Sequence, residues 1–321
     1  MILSKMRISI LLKWIRLQEI SLNTQSAIII KHSTQILTHL QTKLKTIMDM
    51  HIHSLNSDGT YTLKEIIDIA KSNSVNVLSV TDHNCLDAHL SSDVFVPEGL
   101  ILIPGVEIDA VYKGRNYHVL GYGVDVHDVK FQCFVKGVFN TLEAFNEGLI
   151  VKMEKQYPEI SVQDYRLFEY DRSLGGWKLL HYLKEKNYST SILGSFKAYV
   201  EFNHSYDEIS FPSIQEVCEA IHEAGGIAVL AHPGKVIKNV SADEFLATLD
   251  EIAQKFKIEW IECYYPSHSE EITAICLELC NKYDLIWTCG SDCHGSFEKT
   301  EIGELNIPVN EELLIRIGNK E

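Results

Sequence analysis

Histidine and acidic residues recur at the ends of apolar segments, and the first group is Asp49, His51 and His53. Because successive side chains of a β-strand point to opposite faces, these three residues share one face if residues 47–53 form a strand. Two imidazoles that project together can bind one metal ion. The pair alone is a weak signal, because a histidine in a strand is often a hydrogen-bonded core residue.

The same residue types accompany the other candidate strands: Asp58, Asp82, His83, Glu107, His118, His232, Asp292 and His294. In a parallel α/β barrel the strand ends converge on one face, where catalytic residues collect, so we expect these side chains to lie together. Nitrogen and oxygen ligands without thiolate favour Zn²⁺, Mn²⁺ or Fe²⁺ over Ca²⁺ or Mg²⁺ alone, and Mg²⁺ stays a further candidate. The six histidines together with Asp58, Glu107 and Asp292 make nine such ligands, which suit three closely spaced divalent ions with Glu107 as a bridge.

Short β-rich segments alternate with helical patterns from residue 47 onward. The predicted strands are Ile47–His53, Val75–Thr81, Leu100–Ile108, Tyr117–Val124, Ile227–Ala231, Ile258–Tyr264 and Leu285–Cys289. The predicted helices between them are Leu63–Ser72, Ser213–Ala224, Ala242–Phe256 and Glu270–Lys282. This alternation predicts an α/β fold with a parallel sheet, either open or closed into a barrel. Residues 126–210 break the alternation with helical stretches at Phe139–Gln156 and Lys178–Lys186, which indicates an inserted α-rich cap subdomain.

The net charge of the 321 residues is −15, and it is unevenly distributed. Residues 1–47 carry a net +6, which leaves −21 for residues 48–321. So acidic a body argues against stable binding of duplex nucleic acid, which depends on Lys and Arg neutralising phosphates. If the protein acts on a phosphate, another group must supply positive charge.

The N-terminal segment differs in composition from the rest of the chain. We expect residues 1–46 to form either a poorly ordered extension or an amphipathic helix. The eight cysteines include no CxxC pair, which favours reduced thiols in a cytoplasmic protein. No window approaches the ~20 apolar residues that a transmembrane helix requires. The oligomeric state is left open.

Six ordered motifs resemble the PHP family, the polymerase and histidinol phosphatase group of metal-dependent phosphoesterases. They are DMHIHSLNSDG (49–59), VTDH (80–83), PGVEI (104–108), HVLGYG (118–123), AHPG (231–234) and GSDCH (290–294). The resemblance implies a distorted (β/α)7 TIM-like barrel with three metals at the carboxyl ends of the strands. The catalytic barrel would comprise residues 47–125 and 211–321, interrupted by the cap at residues 126–210.

The resemblance also implies a role for each metal ligand. One metal would be bound by His51, His53, Glu107 and Asp292, a second by Glu107, His118 and His232, and a third by Asp58, His83 and His294. Asp49 and Asp82 would orient neighbouring imidazoles from behind the ligands, with a hydrogen bond at the strand end as the alternative for each. His232, His268 and Asp292 are the expected catalytic residues, and His232, His268 or a metal-bound water would protonate the leaving group.

The position of the insertion resembles the branch that includes nucleoside 3′,5′-bisphosphate phosphatases and an RNA 5′-exonuclease. Members of that branch commonly carry a GR-x-H signature in the cap, where this chain has Gly175-Gly176-Trp177-Lys178. Arg172 and Lys178 are expected to bind substrate in its place, and Arg115 is a candidate phosphate clamp beside the strand that carries His118. His268 is a further expected substrate-binding residue, because residues 262–268 resemble a family loop. The alternative for the three basic residues is a solvated surface charge, and for His268 it is a surface histidine.

The resulting hypothesis is hydrolysis of a phosphate monoester of a small metabolite or nucleotide by metal-activated hydroxide. A 5′-to-3′ exonuclease on short RNA or DNA ends and a histidinol-phosphate phosphatase are alternatives within the same chemistry. An inactive, metal-stabilised binding module is the alternative of another class.

Overall fold

The computed structural model of the protein describes residues 46–90, 95–205 and 208–318. The chain divides into two units, Met1–Thr46 and Ile47–Glu321, so the extension predicted at residues 1–46 lies outside the described residues except for Thr46. Seven strands form one sheet in chain order: β1 (Ile47–Ile52), β2 (Val75–Val80), β3 (Ile101–Tyr112), β4 (Arg115–Tyr122), β5 (Ile227–Leu230), β6 (Trp260–Tyr264) and β7 (Ile286–Cys289). Each predicted strand is present, with its ends shifted by a few residues.

One strand corrects the expectation of a parallel sheet, because β4 runs antiparallel to both β3 and β5. Only Lys113 and Gly114 separate β3 from β4, and both have positive φ angles, of 48° and 70°. A two-residue turn of this kind makes a hairpin, whereas a parallel connection needs a dozen residues or more. The remaining neighbouring pairs are parallel. As a result β4 presents its first residues, and not its last, to the carboxyl end of the sheet.

Helices fill most of the connections between strands. They are α1 (Leu63–Ser72), α2 (Asp87–Leu90), α3 (Val129–Met153), α4 (Val162–Leu167), α5 (Lys178–Glu185), α6 (Lys197–Glu201), α7 (Ile214–Glu223), α8 (Pro233–Val236), α9 (Ala242–Lys255), α10 (Glu270–Tyr283) and α11 (Glu311–Gly318). Helices α1, α7 and α9 each begin with a capping box, in which a Ser or Thr and the Glu three residues later bond each other's backbone amides. These local signals explain why α1 was predicted to the residue and α7 and α9 to within one.

Separate apolar clusters support the sheet and the inserted segment. Met48, Leu120, Tyr122 and Trp260 belong to one cluster that includes buried residues of all seven strands. A second, larger cluster packs α3, α7, α9 and α10 against the sheet. Within residues 149–198 a further cluster joins α3, α4, α5 and α6. None of the described helices is both long enough and apolar enough to cross a membrane.

Candidate metal centre

Four buried side chains bring nitrogen and oxygen atoms together beyond the carboxyl end of β1. The group consists of His51 Nε2, His53 Nε2, Glu107 Oε2 and Asp292 Oδ1. Five of the distances between these atoms lie between 3.0 and 3.4 Å. Atoms spaced in this way surround a point about 2 Å from each of them, which matches the bonds that Zn²⁺ forms with His nitrogen and carboxylate oxygen. All four residues are buried.

Glu107 connects this group to the imidazoles on its other side. Its Oε1 lies 2.7 Å from His118 Nδ1 and 2.9 Å from His232 Nε2. Its Oε2 also lies 3.1 Å from His83 Nδ1. The two carboxylate oxygens therefore face different sets of imidazoles, which is the arrangement expected of a bridging ligand.

A third group surrounds Asp58, in the loop after β1. Asp58 Oδ2 lies 3.2 Å from His294 Nε2 and 4.0 Å from His83 Nε2, and Asp58 Oδ1 lies 3.6 Å from His53 Nδ1. The structure thus brings all nine predicted ligands into one cluster. It groups them differently in three places, because His53 also lies beside Asp58, His83 also lies with Glu107 and His118, and His232 also lies with His51 and Glu262.

Two of the clustered residues have unusual backbone conformations. His232 has a φ of 23° and Asp292 a φ of 52°, a region that residues other than glycine seldom adopt. The amide of His232 donates to Glu262 Oε2 at 2.8 Å, and the amide of Asp292 donates to the carbonyl of His51 at 2.9 Å. These bonds hold the two strained residues at the ends of β5 and β7, so that both side chains reach the cluster.

The cluster balances charge internally. Burial lowers the pKa of His232 to about 3 and that of His83 to about 4, so both imidazoles are neutral at pH 7. Burial also opposes the protonation of His118 and His294, but carboxylates outweigh it, chiefly Glu107 for His118 and Asp58 for His294, and raise each pKa to about 10. Neighbouring imidazoles in turn lower the carboxyl pKa values of three acids against the effect of burial. The chief imidazole is His118 for Glu107, His294 for Asp58 and His51 for Asp292.

The cluster also contains buried atoms that lack a hydrogen-bond partner among the described residues. They are His53 Nδ1, His83 Nδ1, Glu107 Oε2, His232 Nδ1 and Asp292 Oδ1. Leaving a buried polar atom unpaired costs free energy, and such atoms call for an explanation. A donor set of imidazole nitrogens and carboxylate oxygens that project into one space fits divalent transition metals.

Asp49 and Asp82 contact backbone, in contrast to their predicted role of orienting imidazoles. Asp49 accepts hydrogen bonds from the amides of Ser291 and Gly303, at 2.9 and 2.7 Å. Asp82 accepts from the amide and the hydroxyl of Ser54, at 2.7 and 2.6 Å. Burial raises the pKa of Asp49. Both carboxylates therefore hold the loops that carry Asp292 and Asp58, because backbone amides and hydroxyls lie within their reach.

Within the described residues, none of the three basic residues predicted to bind substrate forms an ion pair with the cluster. Arg115 is exposed at the start of β4, and strand alternation places it on the opposite face from His118. Lys178 donates to the carbonyl of Arg166 at 3.2 Å and covers the ring of Tyr165. Arg172 donates to the carbonyl of Asn56 at 3.0 Å, in the loop that leads to Asp58, and is the nearest of the three to the site.

His268 is held by the backbone at both ring nitrogens. Its Nδ1 lies 2.9 Å from the carbonyl of Cys263, and its Nε2 accepts from the amide of Gly234 at 3.1 Å. The carbonyl fixes the proton on Nδ1, so Nε2 has no free lone pair for a substrate. This geometry favours a positioning role over the predicted proton transfer, because His268 supports the turn that follows His232.

Several residues at the site were not predicted from the sequence. Glu262 Oε1 lies 3.1 Å from His51 Nδ1, and Asp109 Oδ1 lies 3.3 Å from His118 Nε2. Lys235 and Tyr265 both bond to Asp292 Oδ2. The indole of Trp177 lies 5.3 Å from the ring of His83. Glu262 had a usable signal, since it is an acidic residue within the otherwise apolar strand β6, and Asp109 lies two residues after Glu107 in β3. Lys235, Tyr265 and Trp177 lie in loops or a short helix without a periodic pattern.

An α/β fold with a cluster of imidazoles and carboxylates at one end of its sheet defines a metal-dependent hydrolase. The model of the PHP domain matches residues 49–263, and the chain belongs to this family. The protein is accordingly an enzyme, a metal-dependent phosphoesterase.

Proteins of known activity and solved structures resemble the chain over most of its length. A phosphoribosyl 1,2-cyclic phosphate 1,2-diphosphodiesterase of Eggerthella lenta is 26% identical over 271 residues, which cover 82% of this chain and 99% of the relative. The 5′-3′ exoribonuclease Rnm of Escherichia coli is 25% identical over 269 residues, 82% of this chain and 90% of the relative. A crystal structure of a metal-dependent phosphoesterase from Bifidobacterium adolescentis superimposes with a TM-score of 0.66 at 22% identity, covering 86% of this chain and 96% of that one.

Proposed function

We propose that the enzyme hydrolyses a phosphate monoester of a small metabolite or nucleotide, such as a nucleoside 3′,5′-bisphosphate. The observation that carries this proposal is the convergence of nine imidazoles and carboxylates, with unpaired atoms directed into a shared space. A compact cluster of divalent ions suits phosphoryl transfer, in which charge on the phosphoryl oxygens must be stabilised. The net negative charge of the chain favours a small substrate over a long nucleic acid.

We propose three divalent ions per chain, of Mn²⁺, Zn²⁺ or Fe²⁺, with Mg²⁺ as a further candidate. The first would be held by His51, His53, Glu107 and Asp292, the second by Glu107, His118 and His232, and the third by Asp58, His83 and His294. When bound, such ions polarise the phosphoryl group and allow water to act as the nucleophile at neutral pH.

Other residues of the chain prepare this site. Glu262 accepts from His51 and from the amide of His232, and so fixes the orientation of both. The low pKa of His232, caused by burial, keeps its imidazole neutral and suited to metal binding. Trp177 covers His83 from the inserted segment and helps to exclude water from that side of the cluster.

We further propose that the sheet closes into a barrel formed by residues 47–125 and 211–321, with residues 126–210 as a cap. Closure is supported by hydrogen bonds from the amide of His53 to the carbonyl of Cys293 and from the amide of Asp292 to the carbonyl of His51, which join the ends of β1 and β7. The cap is supported by its own apolar cluster and by the bond from the amide of Gly176 to the carbonyl of Asp58.

We also propose a cytoplasmic location. The eight cysteines all lie within the described residues and are free thiols there, as is usual for proteins of a reducing compartment.

A second candidate is hydrolysis of a cyclic phosphodiester of a phosphorylated sugar. It is favoured by the match to the Eggerthella lenta diphosphodiesterase over nearly the whole length of that protein. The replacement of the GR-x-H signature by Gly175-Gly176-Trp177-Lys178 also weakens the assignment to bisphosphates. A 5′-to-3′ exonuclease acting on short ends is a third candidate, supported by the match to the Escherichia coli exoribonuclease.

A substrate panel with Mn²⁺, Zn²⁺ and Mg²⁺ supplied separately tests these candidates. The panel would contain a nucleoside 3′,5′-bisphosphate, a five-membered cyclic sugar phosphate, histidinol phosphate and a short 5′-phosphorylated oligonucleotide. We expect the bisphosphate to be turned over fastest and His53→Ala to abolish turnover while the protein stays folded. Preference for the cyclic ester or the oligonucleotide would replace the main proposal by the corresponding candidate. Wild-type rates for His53→Ala with saturating metal, or no turnover of any substrate, would refute the proposed site.

A further inference from the structure

A lysine that no motif identified lies at the edge of the metal centre. Lys235 belongs to the short helix α8, three residues after His232, and its Nζ lies 2.7 Å from Asp292 Oδ2. Its side chain is 38% exposed, whereas that of Asp292 is 3% exposed. The ammonium group is therefore located between the buried cluster and solvent.

Asp292 divides its two oxygens between different partners. Oδ1 faces His51 Nε2 and His53 Nε2, at 3.4 and 3.0 Å. Oδ2 accepts from Lys235 and from the hydroxyl of Tyr265, at 2.7 and 2.8 Å. Lys235 is thus fixed beside a metal-ligating carboxylate without competing for the oxygen that faces the imidazoles.

The ammonium group retains donors for another ligand. It carries three N–H donors, and within the described part of the chain Asp292 Oδ2 is its hydrogen-bond acceptor. A lysine side chain is ordinarily protonated at neutral pH, so the group brings a positive charge to this position. Because the side chain is partly exposed, the remaining donors are accessible from the solvent side.

Charge makes this position significant for a phosphate. The proposed divalent ions would offset the carboxylates of Asp58, Glu107, Glu262 and Asp292 inside the cluster, so a cation at its edge adds an N–H donor for a phosphate oxygen on the solvent side. Of the predicted clamps, Arg115 is exposed on the face of β4 opposite His118, Arg172 bonds to the carbonyl of Asn56, and Lys178 bonds to the carbonyl of Arg166. Among the lysines and arginines of the described ranges, Lys235 alone forms an ion pair with a residue of the cluster.

We propose that Lys235 is a catalytic residue that binds a non-bridging oxygen of the substrate phosphate, with Asp292 Oδ2 holding its ammonium group in place. This inference rests on the proposed phosphoesterase site and adds a phosphate-binding side chain to it. The alternative is that Lys235 only neutralises and positions Asp292. Tyr265 distinguishes the two, since it bonds the same carboxylate oxygen but carries no charge.

The test compares Lys235→Met with Lys235→Arg, Tyr265→Phe and Lys238→Met. Lys238 is an exposed lysine in the loop that follows α8, and it serves as the control for loss of a surface charge. Binding of inorganic phosphate to metal-loaded protein would be measured by calorimetry, metal content by elemental analysis, and folding by thermal unfolding. These readouts do not depend on turnover, so a failure to hydrolyse the substrate panel would count against the proposed function and leave the inference about Lys235 separately testable.

We expect Lys235→Met to keep its metals and fold while its phosphate affinity falls about tenfold or more, as for loss of a charge-assisted hydrogen bond. Lys235→Arg, Tyr265→Phe and Lys238→Met should bind phosphate within about threefold of the wild type. Unchanged phosphate affinity in Lys235→Met would overturn the proposal. Metal loss in both Lys235→Met and Tyr265→Phe, or equal weakening of phosphate binding in both, would assign Lys235 to the positioning of Asp292 instead.

Discussion

Glu262 shows how a single carboxylate organises several metal ligands. It is fully buried, and burial raises its pKa. One bond, to Nδ1 of His51, places the proton of that imidazole on Nδ1 and leaves Nε2 directed toward Glu107 and Asp292. The other, from the amide of His232, stabilises a backbone conformation with positive φ. The metal site therefore depends on a residue that need not contact a metal.

The first prediction is that Glu262→Gln weakens metal binding by about 10- to 100-fold, the usual cost of losing a partner behind a ligand. A glutamine has an NH2 group in place of one carboxylate oxygen, and this group would face either the N–H of His51 Nδ1 or the amide of His232, both of which are donors. Competition with a chromophoric chelator would measure the affinity, and excess metal should restore part of the activity.

Glu259→Gln provides a matched control for this prediction. Glu259 also binds an imidazole, that of His222 at 2.7 Å, and a backbone amide, that of Ala228 at 2.8 Å. These partners lie outside the metal cluster, so metal affinity should stay at the wild-type value. Equal metal affinity in the wild type and in Glu262→Gln would show that Glu262 does not orient the ligands.

At the residue scale, the success of sequence interpretation depended on motif context. The nine predicted ligands lie in short motifs near the ends of the predicted strands, and the structure places their side chains close together. Lys235 and Tyr265 follow such motifs but have residue types common on protein surfaces and in cores, so only their contacts with Asp292 reveal them. Arg115 was chosen for its proximity to His118 in sequence, and strand alternation separates the two.

At the element scale, the hairpin of β3 and β4 explains how Glu107 and His118 meet. The antiparallel register pairs Glu107 with Leu120 and Asp109 with His118. The side chains of Glu107 and His118 therefore lie diagonally opposite each other on one face, near the turn. The strand positions were predicted from apolar runs, but the direction of β4 was not, because the residues of the turn were not assigned to either strand. The gap between the two predicted strands, residues 109–116, is shorter than the dozen residues that a crossover needs, and this length was the signal for a hairpin.

The junction after β7 permits no side chain at Gly290. A Cβ atom there would lie 2.1 Å from the Cβ of His51, 2.9 Å from its amide nitrogen and 2.6 Å from Glu262 Oε1. These contacts are far shorter than van der Waals distances, and one of them involves backbone that cannot rotate away. Gly290 thus allows β1, β6 and β7 to approach closely enough to form the site.

The second prediction follows from this contact. Gly290→Ala should lower the free energy of unfolding by about 1–3 kcal/mol, as overpacking typically does, and should reduce metal content because His51 and Glu262 must move. Urea unfolding and elemental analysis would measure the two effects.

Gly137→Ala is the matched control for Gly290→Ala. Gly137 lies within α3, and nothing described lies within 4 Å of a Cβ placed there. Alanine should therefore stabilise the protein slightly, by up to about 1 kcal/mol, through its higher helix propensity. A Gly290→Ala protein with wild-type stability and metal content would mean that the strands separate at little cost.

At the scale of the whole molecule, the metal centre acts on both charge and stability. Three divalent ions would add +6 to a body whose formal charge is −21, and they would do so where buried carboxylates are concentrated. The proposed ligands come from both ends of the strand order, from His51 in β1 to Asp292 and His294 in the segment that follows β7. Ions bound there would cross-link the ends of the sheet as well as serve the reaction.

The third prediction is that removal of metal lowers the melting temperature of the protein by several degrees. A ligand at 100 times its Kd stabilises the folded state by about 2.7 kcal/mol, and in a domain of this size each kcal/mol corresponds to about 2–4 °C. Thermal unfolding with and without chelator would measure the shift, and added Mn²⁺ or Zn²⁺ should reverse it. His53→Ala, which lacks a ligand facing both Glu107 and Asp58, should show a smaller shift than the wild type. If chelator left the wild-type melting temperature unchanged while removing the metal, the ends of the sheet would be held by protein contacts alone, and the centre would have no structural role.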